Sequence, residues 1–227
     1  LSLHDALPIL SLDLYQLLKP CQSLFKLSKM KQPDLENFVG IHNRKYCDGG
    51  QCIRLYKTFM KKKDPEAANI VMGHNEEDLL GLGTIFSLLA YKKLYDGEYH
   101  PKQCVILEQE LKIVIELSAA APVNVSCGNS DFYLSVNGYE ARMLVHLKEG
   151  KLRQYYRNYK DYEFIPGEDT AMPKSITRYM DKSLKIATTP QTCYTWFNCD
   201  EDFLNNEKKQ MQYLTHTLPF FLDNLNK

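Results

Sequence analysis

Apolar positions along this 227-residue chain follow two rhythms. Up to about Tyr95 they recur at three- and four-residue intervals, the spacing of one helical face; beyond Asp96-Gly97 they alternate, the spacing of one strand face. The helical part begins with an apolar–acidic, strand-like piece, Leu12-Asp13-Leu14-Tyr15. Leu17, Leu18, Leu24, Phe25 and Leu27 follow at helical spacing, separated by Pro20. Residues 33–39 predict a short helix, with Pro33 in its first turn, Asp34 and Glu36 early, Leu35, Phe38 and Val39 on one face, and Gly40 as its stop. Asp48-Gly49-Gly50 predicts a turn. Ile53, Leu55, Tyr56, Phe59 and Met60 predict an amphipathic helix ending in Lys61-Lys62-Lys63, a solvated, dipole-complementing terminus. Asp64-Pro65 opens another short helix that leads to Ile70-Val71-Met72, a strand-like run. From His74-Asn75 a further helix carries Leu80, Leu82, Ile85, Phe86, Leu88, Leu89 and Leu94 to about Tyr95.

In the second part, residues 111–117 and 132–136 alternate as strands. Asn137-Gly138 is the strongest short hairpin signal, so Ala141 to Leu147 is expected to return; Glu149-Gly150 turns again, and Leu152 to Tyr156 goes out once more. The pattern predicts an antiparallel meander. The expected organisation is a helical unit over 10–96, a boundary near residues 96–103, an antiparallel β domain over 104–195 and a C-terminal tail over 196–227.

Composition narrows the functional classes. The 28 basic and 28 acidic residues balance, so no global field draws the chain to nucleic acid or membrane, and any polyanion must be held locally. The seven cysteines are odd in number and contain no Cys-x-x-Cys, which suits a reducing, cytoplasmic compartment. Cys47 and Cys52 lack a second pair at zinc-finger spacing. No apolar run approaches the roughly 20 residues of a membrane helix, and no basic-led leader is visible. Residues 1–9, LSLHDALPI, read like translated sequencing adapter, so His4 and Asp5 are set aside and the chain is expected to be cut off near Leu10.

The stretch richest in candidate chemistry is Gly73 to Leu82, GHNEEDLLGL. His74 and Asp78 lie four residues apart and share a helical face, where a carboxylate beside an imidazole suits metal-assisted phosphodiester chemistry. The same residues also suit an ordinary helix start, with Asn75 as N-cap, Asp78 as its capping-box partner and Glu76, Glu77 and Asp78 favoured by the dipole. A second candidate is the basic and aromatic set downstream. Arg153, Arg157, Lys160, Lys174, Arg178, Lys182 and Lys185 interleave with Tyr155, Tyr156, Tyr159, Tyr162 and Tyr179, and Arg153, Arg157 and Lys160 are its candidate nucleic-acid contacts. The competing reading is a Tyr-rich surface of mixed charge, since Asp161, Glu163, Glu168 and Asp169 dilute the patch. Trp196 and Phe197 are expected in the core. Ser175 and His146 suggest no triad, because no nucleophile elbow surrounds the serine.

In their order, several segments resemble the back half of the YprB-type ribonuclease H-like domain, a group of predicted 3′–5′ exonucleases in the DnaQ-like (DEDD) superfamily. They are Asp13-Leu14-Tyr15, Lys19-Pro20, residues 35–41 (LENFVGI), residues 48–56 (DGGQCIRLY) and the HNEED stretch. Residues 158–162 (NYKDY), 166–169 (PGED), Lys174-Ser175, Asp181-Lys182 and 192–194 (TCY) resemble the C-terminal region of firmicute members, so the likeness spans roughly residues 10 to 195. Pro173 stands where the family pattern leads one to expect His. The resemblance implies four acids holding two divalent ions, Mg²⁺ or Mn²⁺, that activate water for phosphodiester hydrolysis on a single nucleic-acid strand. Asp78 matches the last metal-binding acid and His74 the residue that orients the attacking water. The other acids fall upstream of Leu10, and Asp13 matches a positional residue. One carboxylate does not hold two such ions, so this fragment is expected to lack the implied activity. The alternative is a non-catalytic nucleic-acid or protein interaction module. The expected fold is α/β: a C-terminal remnant of a ribonuclease H-like fold, mostly helical here, followed by an antiparallel β-rich domain. Without a central sheet to cover them, helices in residues 10–95 are expected to expose apolar surface.

Overall fold

The computed structural model describes residues 12–46 and 49–225. Residues 1–9, with His4 and Asp5, and Asp48 of the expected turn lie outside the described residues. Residues 12–15 do not extend as a strand. The Asp13 carboxylate accepts the Gln16 amide at 3.1 Å and starts α1 (Leu14–Leu18). A cap satisfies these amides locally, whereas a strand needs a neighbour. A 3₁₀ turn at Lys19–Cys21 takes the chain through Pro20 into α2 (Gln22–Phe25). The expected helix over 33–39 is α3 (Gln32–Phe38), with Pro33 in its first turn and Gly40 just past its end at φ +92°.

Gly49 and Gly50, read as part of a turn, instead form the first residues of α4 (Gly49–Lys62). Asp64, whose carboxylate accepts the Glu66 amide at 3.0 Å, starts α5 (Pro65–Ile85). This helix is not short, and it overturns both the strand at 70–72 and the helix start at Asn75. A three-residue apolar run fits either period, and no described strand is paired with it. Continuing the helix satisfies those amides within the segment. The expected helix to Tyr95 is broken by a 3₁₀ turn at Phe86–Leu88 before α6 (Leu89–Asp96), which Gly97 ends at φ +86°.

The change of rhythm is real. β1 (Tyr99–Leu107), β2 (Glu110–Gly128) and β3 (Phe132–His146) form an antiparallel sheet in that order. Ile113, Ile115, Leu134 and Val136 point inward as the alternation predicts. The chain reverses at 129–131, where Asn129 Oδ1 accepts the Asp131 and Phe132 amides at 3.0 and 2.9 Å. It does not turn at Asn137-Gly138, which sits inside β3 where the pairing slips between Ala121↔Gly138 and Val125↔Val136, with Gly138 at φ +54°. The long β2 offers a partner to both halves of β3, so the turn signal is spent on an irregularity in the ladder and residues 141–146 continue the strand rather than return.

Glu149 and Gly150 do turn, both at positive φ, as a tight hairpin requires. The meander stops there: β4 (Lys151–Tyr155) pairs with β8 (Tyr194–Asn198). Between them, β5 (Tyr162–Ile165) pairs with both β6 (Thr170–Pro173) and β7 (Ile186–Ala187), with α7 (Lys174–Thr177) following β6. Residues 196–227, read as a tail, contain the end of β8, α8 (Glu201–Leu204) and α9 (Glu207–Asp223). One continuous core joins Leu18 and Leu24 of the opening helices, Leu94 of α6, the inward faces of β2 and β3, and Tyr213, Leu218 and Phe221 of α9. Trp196 and Phe197 pack against this core while remaining partly exposed.

Candidate functional site

His74 and Asp78 lie in the middle of α5, one turn apart, and their side chains meet: His74 Nε2 is 3.5 Å from Asp78 Oδ2. The shared face read from their spacing therefore exists, although the helix carrying them starts elsewhere. Asn75 caps nothing there, and Asp78 is not a capping-box partner. The acid next to it has a separate task. Glu77 accepts the backbone amides of Lys45 and Tyr46 at 2.8 and 3.3 Å, tying the 44–46 segment to α5.

What holds Asp78 is a residue without a sequence signal. Arg44 reaches it with NH1 at 2.7 Å from Oδ1 and simultaneously grips Glu36 of α3, with Nε to Oε2 at 2.6 Å and NH2 to Oε1 at 2.7 Å. Such a fork-on-carboxylate pair is among the stronger ionic contacts because both hydrogen bonds are charge-assisted. Glu36 is 2 % exposed. The Arg44 hydrogen bonds, joined by one from Gln32 Nε2 at 2.9 Å, hold its carboxyl below the usual carboxylate range against the opposing effect of burial. The Arg44 guanidinium is held still more firmly charged, chiefly by Glu36. Gln32 also donates to the Asp78 carbonyl at 2.8 Å, so α3 is stitched to α5 through backbone as well as side chain.

Two glycines make room for this arrangement. A Cβ on Gly81 would fall 1.9 Å from Glu36 Oε1, and one on Gly73 would fall 2.2 Å from the Tyr46 ring. They are two turns apart on α5, so a stripe without side chains admits α3 on one side and the 44–46 segment on the other. Glu36 was legible only as an acid early in a helix. Arg44 stands between two predicted helices, and its partners are eight and 34 residues away, distances at which no periodicity speaks.

Chemically, the set supplies one imidazole beside one carboxylate oxygen, with the other oxygen already neutralised. His74 Nδ1 is buried and has no partner among the described residues. A pair of divalent ions needs several carboxylate or carbonyl oxygens in near-octahedral geometry. Among the described residues no group of three or more His, Cys, Asp or Glu side chains is arranged to hold a metal. Glu36 is the nearest additional carboxylate in the network, and both of its oxygens are engaged by Arg44 and Gln32. The donor set on these residues does not fit a two-ion centre.

The downstream candidates do not converge. Arg153 is stacked over Tyr194 and Trp196, 4.7 and 4.6 Å from their ring centres, and faces Asp131 at 3.9 Å. Arg157 donates to Tyr95 Oη at 2.6 Å and to Asp223 Oδ2 at 3.2 Å, bridging α6 and α9. Arg153 lines one cavity with Asp131, Tyr155 and Trp196, and Lys160 lines a different one with Lys174, Lys182 and Lys185.

Residues 4–90 match the family model RNase_H_2, described as RNase_H superfamily. No curated protein and no solved structure gives a match. The matched span contains the whole Glu36–Arg44–Asp78–His74 network. No described helix is long and apolar enough to cross a membrane. The chain is a mixed helical and antiparallel-sheet protein whose residues 4–90 are similar to the RNase_H superfamily.

Proposed function

We propose that this chain carries the last metal-binding segment of a YprB-type, DEDD-class 3′–5′ exonuclease, in a cytoplasmic protein that acts on single-stranded nucleic acid. The observation that carries the reading is the joined pair within the superfamily match: His74 and Asp78 on one face of α5, side chains 3.5 Å apart. A carboxylate so placed orients an imidazole, which is how such a ring is made ready to position water. Mg²⁺ or Mn²⁺ belongs to this reading through the resemblance, and Asp78 is the ligand it would use. Because the residues present do not complete a two-ion centre, the chain by itself is proposed to bind a strand without cutting it.

The test is release of labelled nucleotides from single-stranded DNA and RNA by the chain and by Asp78→Asn, with Mg²⁺ or Mn²⁺ present. The expected outcome is no release by either. Hydrolysis that Asp78→Asn abolishes would overturn the inactivity and keep the assignment of Asp78; hydrolysis that survives the substitution would remove Asp78 from the chemistry.

A second reading has its own observation. The Asp78–Arg44–Glu36 chain of contacts is a structural clasp between α3, the 44–46 segment and α5. Under that reading the region is a non-catalytic interaction module, and Asp78→Asn changes the stability of the clasp and nothing else.

A further inference from the structure

We propose that a cavity lined by β5, β7 and the first residue of α7 binds the phosphodiester backbone of a single nucleic-acid strand through the ammonium groups of Lys160, Lys174 and Lys182. The proposal rests on the nucleic-acid reading above and places its contact surface away from the Asp78 face. The cavity has a volume of about 570 Å³. Its lysines come from four places in the fold: Lys160 from a 3₁₀ turn at Tyr159–Asp161, Lys174 from the start of α7, Lys182 from a 3₁₀ turn at Lys182–Leu184, and Lys185 from the approach to β7.

Charge is what singles this cavity out. The chain as a whole balances 28 basic against 28 acidic residues, yet four lysines and one acid, Glu163, line this single space. Lys185 is already committed, with its ammonium 2.8 Å from Glu163 Oε2 and donating to the Thr177 carbonyl at 2.6 Å. That pairing cancels the only lining carboxylate and leaves Lys160, Lys174 and Lys182 exposed and without an ion pair among the described residues. The flanking acids are turned to local work: Asp161 accepts from Asn158 Nδ2 at 3.1 Å, and Asp181 accepts from the Ser183 amide and hydroxyl, each at 2.8 Å. Three unpaired ammonium groups around one concavity repel one another, an arrangement that a polyanion relieves.

The remaining walls favour a strand over a bare phosphate ion. Tyr159 and Tyr162 line the same space, and the Tyr162 ring is itself stacked on Tyr156 with centres 5.2 Å apart and planes within 15°. Exposed Ile186 lies beside them. Aromatic and apolar surface next to phosphate-seeking cations is the combination that holds unpaired bases without reading their sequence. Lysine, a point charge without the bidentate fork of arginine, suits such sequence-independent contact.

The experiment measures anisotropy of a fluorescein-labelled oligothymidylate across a salt series. It compares the intact chain, the pocket variant Lys160→Gln/Lys174→Gln/Lys182→Gln, and a charge-matched control, Lys57→Gln/Lys61→Gln/Lys62→Gln on exposed positions of α4. Three phosphate contacts predict a log–log salt slope of about −2 for the intact chain. The pocket variant is expected to flatten that slope by about 2 and to weaken binding about tenfold or more at low salt, with the control unchanged. All six lysines are solvent-exposed, and unchanged melting temperatures establish that each variant is folded. Binding by the pocket variant that equals that of the intact chain overturns the pocket while leaving the nucleic-acid reading standing. Equal losses in both variants overturn it in favour of diffuse charge. Absence of binding by the intact chain overturns the nucleic-acid reading and the pocket with it.

Discussion

In the arm made of α3, the 44–46 segment, α4 and α5, charged contacts join α3, the 44–46 segment and α5, while the body around β2, β3, α6 and α9 is held together by hydrocarbon. In the body, Leu111, Ile113, Leu134, Met143, Leu218 and Phe221 are completely buried. In the arm, the only apolar residue that α4 buries is Cys52, and α5 buries Ala67, Gly73, Gly81 and Ile85. Several large side chains of α4 and α5 face outward, with Ile53, Met72, Leu79 and Leu80 59, 71, 63 and 67 % exposed, while Leu35 of α3 and Ile85 of α5 are buried in the shared core. The expectation that helices in residues 10–95 expose apolar surface is therefore met by α4 and α5, whereas α1, α2 and α6 bury theirs against the sheet and α9. Apolar content alone does not choose the face that packs. In the arm that choice follows from where Glu36 and Arg44 meet and where α5 lacks side chains.

Removing one anchor from each region sharpens the contrast. Phe221→Ala deletes a ring buried against Phe132, at 5.4 Å between centroids, and is expected to lower global stability by about 3–5 kcal/mol in denaturant unfolding. Arg44→Ala leaves the Glu36 carboxylate enclosed without its cation, at a cost of about 3 kcal/mol. Its loss is expected to be local: amide exchange should accelerate in α3 and α5 while β2, β3 and α9 keep their protection. Uniform acceleration across both regions would show that the arm and the body unfold as one unit and would erase the distinction.

Acid provides the same test without mutation. The Glu36 carboxyl is held below its ordinary value of 4.5, chiefly by its hydrogen bonds from Arg44. A depressed folded-state pKa contributes stability that is fully present above the unfolded value and is lost as pH falls through the folded one. Protection in α3 and α5 is thus expected to hold at neutral pH and to decline below about pH 4.5, ahead of the body. Glu36→Gln should flatten that pH dependence. A decline of equal steepness in the substituted chain would assign it to other carboxylates.

A gentler perturbation separates close approach from helix propensity. Gly81→Ala would place its methyl against Glu36 Oε1, whereas a Cβ on Gly83 would meet nothing within 4 Å. Both substitutions gain about 1 kcal/mol of helix propensity. Gly83→Ala is expected to keep that gain, and Gly81→Ala to be destabilised by about 1–2 kcal/mol net through overpacking of a tied carboxylate. Equal gains at both sites would mean that Glu36 moves aside freely and that the clasp is loose.

How much of this was written in the sequence differs between the regions for the same reason. In the body, burial sets periodicity, so the alternation at 111–117 and 132–136 could be read directly, as could the Glu149-Gly150 turn. Signals that depend on a partner were misread. Asn137-Gly138 is a hairpin only if the preceding strand ends nearby, and β2 is long enough to run past it. Ile70-Val71-Met72 is a strand only if another strand lies alongside. For the candidate site, the His74–Asp78 spacing survived the change of helix boundaries because residues four apart face each other on any helix. Arg44 stayed invisible, since a contact between a loop cation and two distant acids leaves no period. The lysines around the β5–β7 cavity were all noted, but grouped with Arg153 and Arg157, which the fold turns toward Asp131 and Asp223.

The smallest expected effect tests the exposed face of the arm itself. Leu79 and Leu80 are neighbours on α5, and each leaves well over half of its surface in solvent. Burial is the source of a leucine's contribution, at about 25 cal/mol per Å² removed from water, so side chains left in water contribute little. Glutamine has nearly the same helix propensity as leucine, so Leu79→Gln/Leu80→Gln removes apolar surface without changing the backbone preference. The double variant is expected to unfold within about 0.5 kcal/mol of the parent, with the same denaturant sensitivity. A loss of 2 kcal/mol or more, the scale set by burial of a leucine side chain, would place that face in a packed environment. The arm would then be held by hydrocarbon after all, and its charge network would be an addition to that packing rather than its substitute.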